Sequence, residues 1–293
     1  MQNKNKGIVF MLISAFLYAL MNVFVKWGND IPLFERMFFT NVVTFVIAFL
    51  FAKKNGVSLL GEKENQKYLF ARSVIGLGAM ITNFYAISKL MIADSSMLNK
   101  LSPFFVTLFA CIFLKEKLNK LQLPTLVIVF IGALLVIKPK FSMEMIPALS
   151  GFLSAVLSGI AYTFLSVLGN KEDSSTIVVH FALISMLGTL PGMFFQFKVP
   201  NLKMIFILIC IGLCYGFAQV TMTLAYKYAP AAEVSIYNYV NIIFATLLGF
   251  VIFKEIPDIY SLLGGGIIIG AATTLYLYDK KLVNKDKVVD TGV

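Results

Sequence analysis

The stretch that decides the fold is ADSSMLNKLSPFFVTLFACIFLKE, residues 93–116, because the chain repeats its pattern 139 residues later. The second copy, AEVSIYNYVNIIFATLLGFVIFKE, covers residues 232–255. Eight of the 24 aligned positions are identical without a gap, and both copies end an apolar run at Lys-Glu. An internal repeat of this kind indicates that one structural unit is used twice.

A polar pattern near the start of each half repeats as well. With an offset of 144 residues, one triple aligns with another: Ser14, Tyr18 and Asn22 with Ser158, Tyr162 and Ser166. Each triple has i, i+4, i+8 spacing and therefore predicts one polar stripe along a helix.

The composition points to a membrane protein. Hydrophobic residues make up 59% of the 293 residues, charged residues only 14%, and the mean hydropathy is +0.84. Apolar runs of about 20 residues are long enough to cross a bilayer as helices. Ten such runs are present, at residues 7–27, 33–52, 67–90, 94–115, 121–137, 146–170, 175–196, 202–228, 230–254 and 258–278.

Five spans per repeat is an odd number, so the second copy enters the membrane from the opposite side. The predicted fold is an all-α integral membrane protein of ten transmembrane helices, arranged as two inverted five-helix repeats with a site near the midplane. The predicted units are residues 1–140, residues 141–280 and a short cytoplasmic tail at 281–293.

The positive-inside rule orients the chain. With the N-terminus inside, 15 Lys and Arg residues fall near span ends on the inner side and 8 on the outer side. We therefore expect both termini in the cytoplasm and a multi-pass location in a bacterial-type cytoplasmic membrane. An anionic inner leaflet accounts for the net charge of +10, so no nucleic acid is expected as a partner.

Enzymatic function is disfavoured. The chain has one His, no clustered Asp/Glu motif and no G-x-x-x-x-G-K-[ST] loop, so neither an active site nor direct use of ATP is expected. All three Cys residues lie inside predicted spans, so no disulfide, metal or cofactor is expected. A carrier of small metabolites fits best, while a channel or a structural membrane protein stays open.

Polar side chains inside the spans are the candidates for substrate binding. They are Tyr18, Asn22, Arg72, Asn83, Asn99, Lys100, Tyr162, Ser166, Gln219, Tyr237, Asn238 and Asn241. Amides at lipid depth need partners, which a substrate or a neighbouring helix could supply. For the tyrosines, packing alone is the competing interpretation.

Two cations determine which charge we expect the substrate to carry. Lys100 lies six residues into span four, where it either faces a wet cavity or extends to the outer headgroups. Arg72 lies near the inner start of span three, where it either binds a carboxylate or phosphate or anchors the helix at the lipid interface. The cavity interpretation of both favours an anionic organic acid, amino acid or nucleotide-like metabolite.

Three further features leave alternatives open. Asp94 and Glu233 lie at the starts of spans four and nine. Each is either a helix cap or a carboxylate that couples transport to protons. His180 is either an interface residue or a proton relay. The glycines at 264–266 and 270 predict close helix packing, within one bundle or between two protomers, so a monomer and a homodimer both remain open.

These residues resemble the drug/metabolite transporter superfamily, specifically EamA-type carriers. The resemblance rests on SPFFVTLFACIFLKEKL and NIIFATLLGFVIFKEIPD. FERMFFTN (residues 34–41) and ARSVIGLGAMITNFYAI (residues 71–87) are similar to the branch with S-adenosylmethionine carriers and the 35G solute carriers. One departure is Ile242, which stands where the first copy has Pro103, and it predicts that span nine lacks the kink of span four.

The resemblance implies a secondary-active transporter of a small organic metabolite. It implies alternating access and a central cavity lined by spans 1, 3, 4, 6, 8 and 9. A carboxylate-bearing substrate is the favoured interpretation, with an S-adenosylmethionine or nucleotide-like exchanger as the alternative. The sequence leaves open the substrate, the direction of transport and any ion coupling.

Overall fold

The computed structural model of the protein describes residues 4–114, 121–137, 145–168, 171–228 and 235–291. Within these ranges all regular structure is helical. In chain order the α-helices are α1 (Lys4–Trp27), α2 (Leu33–Asn55), α3 (Gln66–Lys89), α4 (Ile92–Asn99), α5 (Ser102–Leu114), α6 (Gln122–Ile137), α7 (Ile146–Leu168), α8 (Ser174–Gln196), α9 (Leu202–Tyr228), α10 (Val240–Leu248) and α11 (Ile259–Thr291).

The predicted all-α membrane class is confirmed at the level of helix length and composition. In the part of the chain that the structure describes, seven helices are long and apolar enough to cross a membrane. Two shorter apolar helices lie at Val127–Ile137 and Tyr237–Phe253. The count of ten spans and their inverted arrangement stay predictions.

Span four is broken in the middle, which positions Lys100. Helix α4 ends at Asn99 and α5 begins at Ser102. Pro103 explains the break, because its ring lacks the N–H that would bond to the carbonyl of Asn99 and clashes with that carbonyl. Lys100 and Leu101 therefore lie between two helices.

Span nine is irregular in the aligned region even though Ile242 stands where span four has Pro103. A 3₁₀ segment, Ser235–Tyr239, precedes α10, and a π-helical segment, Gly249–Phe253, follows it. Asn238 and Tyr239 in the 3₁₀ segment align with Asn99 and Lys100. The 3₁₀ segment runs directly into α10, so the break between α4 and α5 is not repeated here, although the start of the span is irregular.

Helix packing follows a matched pattern across the two halves. The most extensive helix contacts are those of α1 with α9 and of α3 with α7. When the predicted repeat superposes one half on the other, each of these two contacts falls on the other one. Helix α2 packs on α8, and α6 packs on α11, each pair joining equivalent spans. The contacts α2–α9 and α3–α8 correspond in the same way, as do α5–α7 and α1–α10.

Small residues allow the closest of these approaches. Ala15 and Ala19 of α1 are fully buried. A Cβ added at Gly264 of α11 would lie 2.5 Å from the carbonyl oxygen of Gly132 in α6, so only glycine fits there. Part of the glycine stretch thus packs inside the bundle, whereas Gly266 has no neighbouring heavy atom within 4 Å of its added Cβ.

Two carboxylates join loops of opposite halves. Oε2 of Glu35, at the start of α2, accepts from the backbone N–H of Lys198 at 3.1 Å. Oε1 of Glu172, just before α8, accepts from the backbone N–H of Glu62 at 2.8 Å. Because α2 and α8 are equivalent spans of the predicted repeat, these two contacts occupy corresponding places.

Candidate functional site

A cavity lies where the two halves meet. Side chains from α1, α3, α4, α7, α9 and the 3₁₀ segment with α10 line it, with Ser102 of α5 and Phe181 of α8 completing the wall. Along α3 the lining runs from Arg72 to Phe84. At a rise of 1.5 Å per residue, this corresponds to roughly 18 Å of helix.

The structure brings most of the sequence candidates together at this cavity. Ten of the twelve line it: Tyr18, Asn22, Arg72, Asn83, Asn99, Lys100, Tyr162, Gln219, Asn238 and Asn241. Tyr237 instead packs near Met11, Met222 and Ala225. The side chain of Ser166 lies outside the described part of the protein.

Of the two candidate carboxylates for proton coupling, the structure describes only Asp94. Asp94 is buried in the first turn of α4 and is not among the lining residues. Glu233 lies outside the described residues. Within the described ranges, no group of three His, Cys, Asp or Glu side chains could hold a metal ion.

Lys100 is held by the other half of the molecule. Its side chain is 5% exposed, and its Nζ donates to Oδ1 of Asn238 at 3.1 Å. The same Nζ lies 5.9 Å from the centre of the Tyr18 ring, within the range of a cation–π contact. The break between α4 and α5 thus delivers a cation to the cavity wall, and the aligned irregular segment supplies its partner.

Amide side chains tie the cavity helices to one another. Nδ2 of Asn22 donates to Oγ of Ser96 at 3.1 Å. Nδ2 of Asn241 donates to the carbonyl oxygen of Ala15 at 2.7 Å. These bonds account for one donor on each amide, so each side chain retains further hydrogen-bonding capacity at the cavity wall.

Arg72 lies at the other end of the lining in a different environment. Its side chain is 3% exposed, and its guanidinium carbon lies 4.1 Å from the centre of the Phe181 ring. Its Nε and Nη1 atoms are buried without a hydrogen-bond partner. Ser73 follows Arg72 by one residue, and His180 precedes Phe181 by one residue. Oγ of Ser73 and Nδ1 of His180 form a 3.0 Å hydrogen bond that fixes α3 against α8.

The charge of the cavity is therefore positive. Arg72 and Lys100 both line it, and no Asp or Glu is among the described residues that do so. Buried charges without a partner are costly, and a bound anion relieves that cost. The arrangement favours a ligand with negative charge and an organic body that fits against Tyr18, Tyr162 and Tyr215.

A set of contacts closes the molecule near the Lys100 end of the cavity. Lys26, in the last turn of α1, forms an ion pair with Oε1 of Glu255. Its Nζ also donates to the carbonyl oxygen of Leu90 at 2.7 Å, and Oε2 of Glu255 accepts from the N–H of Ile92 at 2.8 Å. Lys254 adopts a left-handed backbone conformation with φ of 59°, which ends the helix and turns Glu255 back. We call these contacts the Lys26–Glu255 clasp.

Phe181 and Tyr215 are among the lining residues that sequence reasoning did not identify. Phe181 had no distinguishing signal, because its contact with Arg72 joins two helices far apart in sequence. Tyr215 could have been found, since it lies four residues before Gln219 on α9. Nε2 of Gln219 donates to the hydroxyl oxygen of Tyr215 at 2.9 Å.

An all-helical membrane protein with a polar cavity at the junction of two similar halves has the architecture of a solute transporter. Residues 5–138 and residues 145–277 each match the EamA-like transporter family. The chain belongs to this family and is a multi-pass membrane transporter.

Several curated relatives match over most of their length. The pseudopaline exporter CntI of Pseudomonas aeruginosa (strain UCBPP-PA14) is 30% identical, over 92% of this chain and 95% of that protein. Solute carrier family 35 member G1 of Homo sapiens is 27% identical, over 91% and 77%. The riboflavin transporter of Brucella anthropi is 26% identical, over 92% and 98%.

The fold also occurs among solved structures. One crystal structure superposes with a TM-score of 0.69 over 95% of this chain and 99% of that chain, at 17% sequence identity. A likeness at this identity concerns the fold alone.

Proposed function

We propose that the protein is a secondary-active transporter that moves a small, carboxylate-bearing organic metabolite across the cytoplasmic membrane by alternating access. Both termini lie in the cytoplasm in this proposal. The substrate binds in the central cavity, and the two halves tilt against one another to open it to each side in turn. The ten predicted substrate-binding residues that line the cavity contact the substrate in this proposal.

The matched packing of the two halves supports an inverted repeat. A two-fold axis between five-span units maps the α1–α9 contact onto the α3–α7 contact, and both contacts are extensive in the structure. The corresponding contacts of Glu35 and Glu172 with loops of the other half fit the same relation. Such a relation places the substrate site between the halves and gives each half an equivalent role in opening.

One observation supports the proposed substrate class. Two cations line the cavity without a described carboxylate among its walls, and one of them, Arg72, has buried donors that no group in the described part of the protein accepts. An organic anion supplies the missing acceptor. The alternative of S-adenosylmethionine is weaker on this ground, because its positive charge would lie near two other cations.

The named relatives define a first panel of test compounds. Their names include an exporter of pseudopaline and a transporter of riboflavin, both of which are small organic molecules. We propose the same general class for this chain and no particular member of it. Organic acids, amino acids, nucleotides and S-adenosylmethionine complete the panel.

Uptake into proteoliposomes tests the proposal. Purified protein is reconstituted, and uptake of radiolabelled compounds is measured with and without the same unlabelled compound inside the vesicles. We expect saturable uptake of an anionic compound, accelerated by internal substrate. A flux that rises linearly with concentration and shows no acceleration indicates a channel and contradicts the proposal.

A further inference from the structure

The two cations of the cavity have unequal sets of partners, and both retain unused donors. At one end, Arg72 offers Nε and Nη1 without an acceptor. At the other end, the Lys100 ammonium donates one hydrogen bond to Oδ1 of Asn238, which leaves two of its N–H groups for other acceptors. Each end can therefore take an anionic group of its own.

The Arg72 end is shaped to hold the guanidinium in one place. Phe181 covers one face of it at 4.1 Å. Gly76, one turn further along α3, leaves the space that the group occupies, since a Cβ added there would lie 3.4 Å from Nη1 and 3.0 Å from Cε2 of Phe181. The guanidinium thus reaches the level of Gly76, and both residues line the cavity.

The Lys100 end has a second buried donor. Oγ of Ser95 lines the cavity and is buried without a hydrogen-bond partner. Asn99 lies one turn after Ser95 on α4, and its half-buried side chain also lines the cavity. A hydroxyl, an amide and an ammonium together form a binding site for a carboxylate.

The two ends are separated by an apolar and aromatic middle. Asn83 lies seven residues after Gly76 and also lines the cavity, so the lining continues along α3 for about 10 Å beyond Gly76. Between them α3 presents Ala79 and Met80. This length of lining leaves room for a ligand that carries two anionic groups on an extended body.

We propose that the cavity contains two anion subsites, an arginine subsite (Arg72, Phe181, Gly76) and a lysine subsite (Lys100, Ser95, Asn99), and that the substrate is an elongated organic dianion that bridges them. This inference rests on the proposed transport function and sharpens its substrate class. The anionic groups are carboxylates or phosphates, and the aromatic middle accommodates the body that joins them. The advantage of the second group comes from its delivery at high effective concentration once the first group is bound.

A length series tests the inference on the purified full-length protein in detergent. Thermal unfolding is measured against α,ω-dicarboxylates from malonate to dodecanedioate, against monocarboxylates of matched length, and against α,ω-bisphosphonates, all at constant ionic strength. We expect an optimum within a two-headed series, with affinity about tenfold or more above the matched single-headed compound, because one charge-assisted hydrogen bond is worth this much. An optimum among bisphosphonates alone also supports two subsites and identifies the head group as a phosphonate-like anion.

Variants at each end separate the subsites. Arg72→Gln and Lys100→Gln should each abolish the two-headed advantage. Lys89→Gln removes a cation from the exposed end of the same α3 and should preserve it. If Arg72→Gln does not fold, Lys100→Gln provides the same test.

The results distinguish this inference from the proposed function. Equal affinity for single-headed and two-headed compounds at every length overturns the two subsites, while saturable uptake of a monoanion would still sustain the carrier. A two-headed advantage that persists in both cation variants also overturns the assignment. Without saturable uptake of any anion, the proposed function itself fails.

Discussion

The two ends of the cavity differ in how their buried cations are satisfied. Lys100 has a partner in Asn238, and the nearby Lys26–Glu255 clasp joins α1, α4 and the end of span nine. Arg72 is stacked on Phe181, yet two of its nitrogen atoms lack an acceptor. The Lys100 ammonium thus has an acceptor in the protein, whereas Nε and Nη1 of Arg72 have none among the described residues.

This difference has a thermodynamic meaning. A buried charge without an acceptor lowers the stability of the empty protein, and the protein retains such a group where function needs it. The comparison predicts that removing the two cations has opposite consequences for stability, although both removals weaken substrate binding.

The largest effect is expected from Arg72→Met. Replacing an unsatisfied buried cation by an apolar side chain of similar length should stabilise the empty protein by about 1–4 kcal/mol, while stabilisation by anionic ligands is lost. Lys100→Met should give no such gain, because it leaves Oδ1 of Asn238 without its donor. Unfolding midpoints of the two variants without ligand check the comparison, and an empty Arg72→Met protein that unfolds at a lower temperature than the parent contradicts it.

The next effect concerns the Lys26–Glu255 clasp. Both side chains are mostly buried, at 21% and 13% exposure, so their ion pair is weakly screened. A double-mutant cycle with Lys26→Met and Glu255→Gln should give a coupling energy of about 1–2 kcal/mol in unfolding. The pair Lys26→Met and Glu172→Gln, with Glu172 near the opposite end, serves as the control and should be additive. A coupling energy of zero for the clasp would remove its role in closing the Lys100 end.

The smallest effect is expected at Gly76. Gly76→Ala places a Cβ against Phe181 and Arg72 and should weaken binding of an anionic substrate by about 1 kcal/mol through displacement of the stacked guanidinium. Gly78→Ala is the matched control, because its nearest neighbour is Leu157 at 3.4 Å. Titrations of both variants with the same anion check this prediction, and equal affinities would show that Gly76 does not position Arg72.

Much of the cavity could be anticipated from the sequence because polar residues are rare in apolar spans. Burial of an amide or an ammonium at lipid depth requires a partner, so Asn238 and Lys100 were identifiable singly. Their bond to each other was not predicted, since the repeat aligns Tyr239 rather than Asn238 with Lys100.

Other features were not accessible because they are properties of tertiary contacts. Nothing in the sequence around Phe181 indicates that its ring covers Arg72, since helices α3 and α8 meet only in the folded protein. The irregular start of span nine was also missed, because the sequence argument relied on Pro103 and its replacement by Ile242. The clasp joins Lys26 to a residue 229 positions away, a separation that local patterns do not constrain.

The accessibility of one engineered cysteine tests the central claim of alternating access most directly. Ala79→Cys, in the middle of the α3 lining, is introduced after Cys111, Cys210 and Cys214 are replaced by Ala. A membrane-impermeant thiol reagent is then applied to vesicles of either orientation. The account predicts labelling from both sides, with saturating substrate slowing both reactions. Labelling from one side only, unchanged by substrate, would contradict it.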